Sequence, residues 1–581
     1  MKIKSIIASL LLACIIPFAS VYADDPIISI TTLEQLTTFA PAAGNFRLDA
    51  DLALTANIAF KEGFNLDLNG HTLNVGANVI SISGTVTIKD SSANKAGLIT
   101  NVDKQLFQVN KNRTLNLESG TFVSSNSYAI YGLSGSIVNI NGGTVESTSG
   151  YAALTIGSLN VNGGTIQAPV NVAIVNQGTV TVNSGLVHSA GSIGIYGQSD
   201  SETIVNGGTV KTDADDYAIL LSKPGSNLTV NGGEILAQSD AGGVGVGMYK
   251  DTSMVMNGGV IRGHDMGITG NGSVSGSNEG SNAKITITGG EVSAVLTGIY
   301  APQPYGETTI TGGKISGGDV AIELRAGTLK ISGGTFNGGS GDPFQSTPNY
   351  SGTTAKNAAV VVAQHTTKLP IDVQITGGVF NAEVPFVENN PQHNDAESIA
   401  KISLKISDGD DGVAPVFNAT GDYSIFSEDI EGFIYAGRYT HDLPDEYVAD
   451  EHGEIIESDS MDAVYPYRRA ATTADTENGN VEISTEQTLR GTEVTITAQP
   501  DPGYVVVSIE VVDANGNNVP VANNKYIAPN TDTTVTVTFG IENPATGDNV
   551  FDYGAFMGLC AVALGTAISS IRLARVIRRV L

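Results

Sequence analysis

Through the middle of the chain, apolar and polar positions alternate in short bursts broken by glycine pairs. The unit reads apolar–x–apolar, then Asn, Thr or Ser, then Gly-Gly-Thr-apolar. Two clear copies are Val138-Asn139-Ile140-Asn141-Gly142-Gly143-Thr144-Val145 and Leu159-Asn160-Val161-Asn162-Gly163-Gly164-Thr165-Ile166. The second glycine, or its equivalent, recurs from Gly120 to Gly378, mostly at gaps of 21 to 26 residues. The gap before Gly290 is 31, which places a loop around Gly270 to Ser281, and the last gap is 44, or two turns of 22. Positions two before the first glycine (Ile140, Val161, Val182, Val205) and three after it (Val145, Ile166, Val187, Val210) are apolar. Period-2 alternation on both sides of a glycine corner predicts two short strands meeting at a bend. The glycines permit positive φ and close approach of stacked backbones. A third strand follows in most turns, as in Ala129-Ile130-Tyr131, Gly194-Ile195-Tyr196 and Val320-Ala321-Ile322. Three short strands per turn, stacked at about 4.8 Å, predict an all-β chain built as a parallel β-helix. A flat set of hairpins is the alternative, but the turns lack the two-residue spacing that hairpins use.

The pattern changes on either side of this body. Thr32 to Ala40, with Leu33, Leu36 and Phe39 on one helical face, predicts an amphipathic cap over the first turn. Beyond about Asn381 the repeat loosens, and the acidic stretch Phe433 to Asp462 reads as terminal turns and a second cap. The boundaries that follow are 1–23 for a signal peptide, 24–465 for the capped β-helix and 466–475 for a linker. A small all-β repeat domain is placed at 476–541, and 542–581 holds a sorting signal, a transmembrane helix and a basic tail.

Both ends read as targeting segments. Lys2 and Lys4 precede an apolar run from Ile6 to Phe18, and Val21 and Ala23 supply compact residues at the −3 and −1 positions before Asp24. Leu11-Leu12-Ala13-Cys14 loosely matches a lipobox, but the apolar run continues past Cys14, so cleavage after Ala23 is the reading adopted. At the other end, Asn543-Pro544-Ala545-Thr546-Gly547 precedes an apolar stretch from about Tyr553 to Ile571, then Arg572, Arg575, Arg578 and Arg579. Such a stretch is long enough to span a bilayer, and the arginines would hold the tail on the cytoplasmic side. A plain membrane anchor is the alternative. Cys14 and Cys560 both lie in segments that processing would remove, so the mature protein is expected to hold no disulfide.

Composition narrows the function classes. With 69 glycines, 15% charged residues and no tryptophan in 581 residues, the chain suits stacked strands and turns. A formal net charge of −29 excludes nucleic-acid binding by phosphate neutralisation.

The Gly-Gly repeats resemble the right-handed parallel β-helices of the pectate-lyase-like superfamily. Asp67-Leu68-Asn69-Gly70-His71-Thr72-Leu73 and Thr87-Ile88-Lys89-Asp90-Ser91-Ser92 are similar to the first turns of bacterial surface β-helices. The segment holding Val494-Thr495-Ile496-Thr497-Ala498, Pro500-Asp501-Pro502-Gly503-Tyr504 and Thr534 to Phe539 resembles the internalin-type repeat, which implies a spacer near an anchor. Asn543 to Gly547 resembles the Leu-Pro-any-Thr-Gly sorting signal of Gram-positive wall proteins, with Asn543 in place of Leu. That resemblance implies attack by a sortase cysteine on the Thr546 carbonyl, transfer to peptidoglycan, and an extracellular, wall-attached location.

The superfamily hosts lyases, hydrolases and adhesins, so its fold does not choose an activity. A lyase needs clustered carboxylates for Ca²⁺ and an Arg or Lys base. Arg262 and Arg325 stand isolated among the repeats and read as solvated side chains. A hydrolase of the polygalacturonase type needs several Asp residues in ordered motifs. Gly263-His264-Asp265 and Gly409-Asp410-Asp411 are in the wrong order and far apart. Asp408-Gly409-Asp410-Asp411-Gly412 starts like a Ca²⁺ loop, but its twelfth position is Ala419, so it reads as a solvated acidic turn. No catalytic residue, metal site or cofactor is assigned on this basis, Ca²⁺ alone being left open. Tyr128, Tyr131, Tyr151, Tyr196, Tyr217, Tyr249 and Tyr300 recur near the third strand. Aligned on one face they would stack on sugars; otherwise they form a ladder that merely covers strands. The expectation is a non-enzymatic surface adhesin that binds a glycan or a host or microbial protein. A wall-attached polysaccharide lyase or hydrolase and a passive stalk are the alternatives.

Overall fold

The computed structural model describes residues 26–542, apart from 271–281, 342–354, 410–411, 442, 450–452, 457–461, 467, 473–476, 489–490 and 530. The chain divides into two compact units between Tyr467 and Arg468.

The first unit is a parallel β-solenoid of about sixteen turns. One turn shows the plan: Thr165–Ala168, then Ile174–Asn176, then Thr179–Val182, after which Leu186–Ser189 starts the next turn. Each strand pairs in parallel with its counterpart one turn on, as Leu159↔Val180 and Ile166↔Val187. The three strand types therefore stack into three sheets. The first has 16 strands, from Ile27–Ile30 to Ile402–Ile406, and the second has 15, from Ile58–Phe60 to Ile425–Ser427. The third runs from Leu52–Ala53 through Val416–Ala419 to Gly437–Tyr439. There the parallel stacking ends, because Asp462–Pro466 pairs antiparallel with both Gly437–Tyr439 and Gly453–Ile456.

The repeat positions explain the stack. Residues flanking the glycine corner, such as Val161 and Ile166, are fully buried in one continuous core. A fully buried aliphatic side chain contributes roughly 1.5–3 kcal/mol, and identical neighbours above and below share that burial. Toward the end of the stack the row three residues after the glycine becomes aromatic. Phe336, Phe380, Phe417 and Tyr439 stack at 4.7, 4.7 and 5.0 Å, the spacing of paired strands.

The second position of the corner is glycine in turn after turn, with positive φ, while the first also takes Ser119 and Ser184. A Cβ on Gly163 would stand 2.5 Å from the carbonyl oxygen of Asn141 one turn earlier, and Gly185 adopts φ +83°. The residue before each pair forms an amide ladder. Asn141, Asn162, Asn183 and Asn206 each donate Nδ2 to the preceding rung's side-chain oxygen at 2.8 Å, beginning on Glu118. Asn231 and Asn257 continue it at 2.9 Å.

The early Asp-containing motifs have the same corner role. Buried Asp90 accepts from the backbone N–H of Gly97 (2.7 Å), Gly70 (2.9 Å) and Ser92 (3.1 Å) and from Ser92 Oγ (2.9 Å). Burial pushes its carboxyl up, but these hydrogen bonds outweigh it and hold the group below the usual range. Asp67 likewise accepts from Asn69 and Ser91.

At the start of the stack the predicted cap is present as the helix Leu33–Phe39. A capping box between Thr32 and Gln35 starts it, Leu36 is buried, and Phe39 stacks on Phe46 at 5.4 Å.

The second unit begins earlier than the sequence reading placed it. Arg468–Thr472, assigned above to a linker, is a strand of the small domain, parallel to Thr533–Ile541. It belongs to a four-stranded sheet with Gln487–Thr488 and Tyr504–Asp513. Gly479–Ile483, Glu493–Pro500 and Lys525–Ile527 form a three-stranded sheet. Val494, Ile496, Val511, Tyr526 and Val535 make its core.

Candidate ligand-binding face

In the second sheet, alternation turns every other residue away from the core. That outward row reads Tyr131↔Leu154↔Val175↔Tyr196↔Leu220 over five successive rungs. A second row lies two residues before the first core residue of each strand and holds Tyr128, Tyr151, Val172, Ile193 and Tyr217. The two rows form one apolar cluster outside the core. Val172, Val175, Ile193 and Leu220 are buried as its floor, and Tyr151, Leu154, Tyr196, Tyr217 and Tyr249 are half-buried against them. Tyr128 stacks on Tyr151 at 5.6 Å and lies 5.8 Å from Tyr131. Six of the seven tyrosines picked out from the sequence therefore gather in this cluster.

Five rungs at about 4.8 Å give a strip about 19 Å long, and three residues of strand make it about 10 Å wide. Its margins are rich in amides and hydroxyls. Gln177 Nε2 donates to Gln198 Oε1 at 2.7 Å on one side, and Ser192 Oγ donates to Asp216 Oδ2 at 3.1 Å on the other. Burial, and next Tyr249 through its charge and hydrogen bond, push the Tyr217 phenol well above its ordinary value. Around the corner, on the third sheet, His188 Nε2 and Lys211 Nζ meet Asp213 at 2.7 and 3.1 Å.

The seventh tyrosine continues the same outward row three rungs further on, Leu220↔Gly247↔Thr269↔Tyr300. Tyr300 lies under the Arg325 guanidinium, 5.1 Å from ring centroid to Cζ. Arg325 is not the solvated side chain that its isolation in the sequence suggested. It is buried and donates Nε–H to buried Glu323 at 2.7 Å. It also meets His365 Nε2 at 3.2 Å. Because arginine only donates, His365 Nε2 is the acceptor, the ring is neutral, and its Nδ1–H donates to Thr366 Oγ1 at 3.0 Å. The histidine nitrogen that would serve as a base is thus engaged by a guanidinium. Sequence reading passed over Glu323 and His365; a Glu-x-Arg pair on a strand, which places both charges on one side, was the available signal.

A further charge lies inside the stack. Glu388 falls in the inward row Leu324↔Val362↔Glu388↔Ser427. Its Oε2 accepts from Ser427 Oγ (2.9 Å) and from the backbone N–H of Glu428 and Asp429 (both 3.0 Å). Burial nonetheless pushes its carboxyl above the ordinary value.

The remaining sequence-derived sites behave as follows. Arg262 is half-exposed, 3.9 Å from Glu291. His264 pairs with its neighbour Asp265 at 2.8 Å. Val21, Ala23, Asp410, Asp411 and the run Asn543, Pro544, Ala545, Thr546 and Gly547 lie outside the described residues, as do Cys14, Cys560 and the apolar stretch 553–571. Among the described residues no helix is long and apolar enough to cross a membrane, and no three His, Cys, Asp or Glu side chains are grouped to hold a metal ion.

Residues 470–543 match the divergent InlB B-repeat domain, a module that typically occurs in bacterial surface proteins. This is a likeness of the small domain alone. No curated protein and no solved structure matches the chain.

Proposed function

We propose that this chain is a non-enzymatic bacterial surface protein whose β-solenoid binds an extended glycan on the tyrosine strip. The B-repeat domain then spaces the solenoid from the wall, and the sorting signal at Asn543 to Gly547 attaches the chain to peptidoglycan. The observation that carries the reading is the strip itself: aromatic rings beside an aliphatic floor, bordered by amides and hydroxyls. Tyrosine offers an apolar face and a polar tip, which suits a ligand with alternating apolar faces and hydroxyls. The strip covers about 200 Å² at strand and rung spacings, against about 800 Å² per partner for a stable protein interface. A strip this long and narrow suits a linear chain.

The test incubates residues 24–542 with neutral and acidic polysaccharides, with and without Ca²⁺. Retention of a glycan without new reducing ends or unsaturated products supports the proposal. Turnover of any substrate overturns it and redirects attention to Glu323, Arg325 and His365. Failure to retain any of these polysaccharides overturns the glycan reading and leaves a protein-binding or passive-stalk role.

A further inference from the structure

The opening turns carry a cavity on the outward side of the first sheet, away from the tyrosine strip. Its volume is about 310 Å³, within the range of about 300–1,000 Å³ that small-ligand pockets occupy. Two rows of side chains line it. One runs Ile27↔Asn45↔Asn65↔Thr87 over four rungs, and the other places Asp67 beside Lys89 on neighbouring rungs. Strand alternation turns Asn65 and Asp67 outward, while Phe64 and Leu66 are buried in the core. Each polar group keeps part of its bonding capacity open. Asp67 is only 6% exposed, and its Oδ1 accepts from the backbone N–H groups of Asn69 and Ser91. Its Oδ2 bonds to no described residue. Asn65 donates Nδ2 to Asn45 Oδ1 at 3.1 Å, which leaves its own Oδ1 as an acceptor. Thr87 Oγ1 accepts from Asn116 Nδ2 at 3.4 Å, so its O–H remains to donate. Among the described residues Lys89 forms no ion pair, whereas Arg47, one rung before Asp67 in the same row, is taken by Asp49 at 2.9 Å. Ile27, at the first rung, presents an exposed apolar side chain.

We infer that this cavity binds a single neutral sugar residue through a pair of adjacent hydroxyls. A sugar hydroxyl both donates and accepts. Two acceptors, Asp67 Oδ2 and Asn65 Oδ1, and two donors, Lys89 Nζ and the Thr87 O–H, therefore meet the needs of a diol. Hydrogen bonds to charged groups are the stronger ones, so Asp67 and Lys89 anchor the pair while Ile27 faces the apolar side of the ring. The carboxylate and the ammonium cancel, which leaves the site without a net charge to favour an acidic or a basic sugar. Asp67 is already fixed by two backbone N–H groups, so binding orders little that is mobile. The site lies on a different sheet from the tyrosine strip and does not rest on it.

The experiment titrates the full chain with the methyl glycosides of glucose, galactose, mannose and N-acetylglucosamine, followed by saturation-transfer NMR. Glycine, which carries both charges and no ring, is the competing probe. At least one glycoside should bind. Lys89→Ala and Asn65→Ala each remove a hydrogen bond to it and should weaken it roughly two- to tenfold. Both side chains are exposed, so neither change threatens the fold. Asn160→Ala alters the same outward row beyond the cavity and should leave binding unchanged. Tyr131→Ala with Tyr196→Ala should also leave it unchanged. Glycoside binding that survives both cavity variants, or that disappears with the tyrosines, places the sugar elsewhere and overturns the inference. Binding of glycine and of no glycoside assigns the cavity to a zwitterion and overturns the sugar class. Binding of none of the probes overturns the site.

Discussion

Replacing Gly185 with alanine separates two reasons for a glycine corner. Its φ of +83° is a left-handed backbone, which costs an L-residue about 1–2 kcal/mol. Its new Cβ would also stand 2.5 Å from the carbonyl oxygen of Gly164 and 2.8 Å from the carbonyl carbon of Gly163, both one turn earlier. Relief requires opening the two rungs by roughly 1 Å at this corner, since unstrained carbon contacts lie near 3.5 Å. That opening stretches Leu186 N–H to Gly164 O (2.9 Å), Asn183 N–H to Val161 O (2.8 Å) and Asn183 Nδ2 to Asn162 Oδ1 (2.8 Å). Three weakened hydrogen bonds at about 0.5–1.5 kcal/mol each bring the expected loss to roughly 3–6 kcal/mol. Gly76 is the matched control: its φ is +58°, and a Cβ there meets nothing within 4 Å. Gly76→Ala should lose only about 1–2 kcal/mol. Urea unfolding of both variants, followed by circular dichroism in the strand region, measures the difference. Equal losses would refute the claim that rung-to-rung contact fixes the corner.

Other outcomes follow from the buried charges. Asp90→Asn presents an NH₂ to backbone N–H groups and should cost about 1–3 kcal/mol near neutral pH. Because the Asp90 pKa is depressed, its contribution is present above the ordinary carboxylate value and is lost as pH falls through the folded one. The gap between wild type and variant in thermal melts should therefore narrow on acidification. Glu388 has the opposite sign. Its raised pKa means the charged form weakens the fold, so the stability of the wild type relative to Glu388→Gln should rise as the pH falls from neutral toward the ordinary carboxylate value. Arg325→Leu leaves Glu323 buried without its cation and should cost about 3–5 kcal/mol. Adding Glu323→Leu should recover most of the loss in chemical denaturation.

The solenoid was legible because its core constraint repeats. Every turn places an apolar residue two before the glycine pair and another three after it, so Val161 and Ile166 announce their own burial. The amide ladder was present in the same strings, as the Asn at the head of each corner from Asn141 to Asn257. The tyrosines were visible one by one, but their common face depended on register: Tyr131 and Tyr196 share a row through Leu154 and Val175, which carry no aromatic signal. Arg325 was misread although its carboxylate partner Glu323 is two residues away, because its second partner, His365, lies 40 residues further on, beyond an interruption of the period. The start of the small domain was hidden for a similar reason. Arg468–Thr472 is short, and its parallel partner Thr533–Ile541 comes at the far end of the domain.

The most direct test of the account compares glycan binding by wild type, by Tyr131→Ala with Tyr196→Ala, and by Tyr305→Ala. Tyr305 is 68% exposed and lies outside the strip, so it controls for the loss of an accessible ring. Affinity electrophoresis through gels containing the retained polysaccharide should show the double variant migrating freely, with the Tyr305 variant retarded like wild type. Equal retardation of all three would contradict the claim that the tyrosine strip is where this protein meets its ligand.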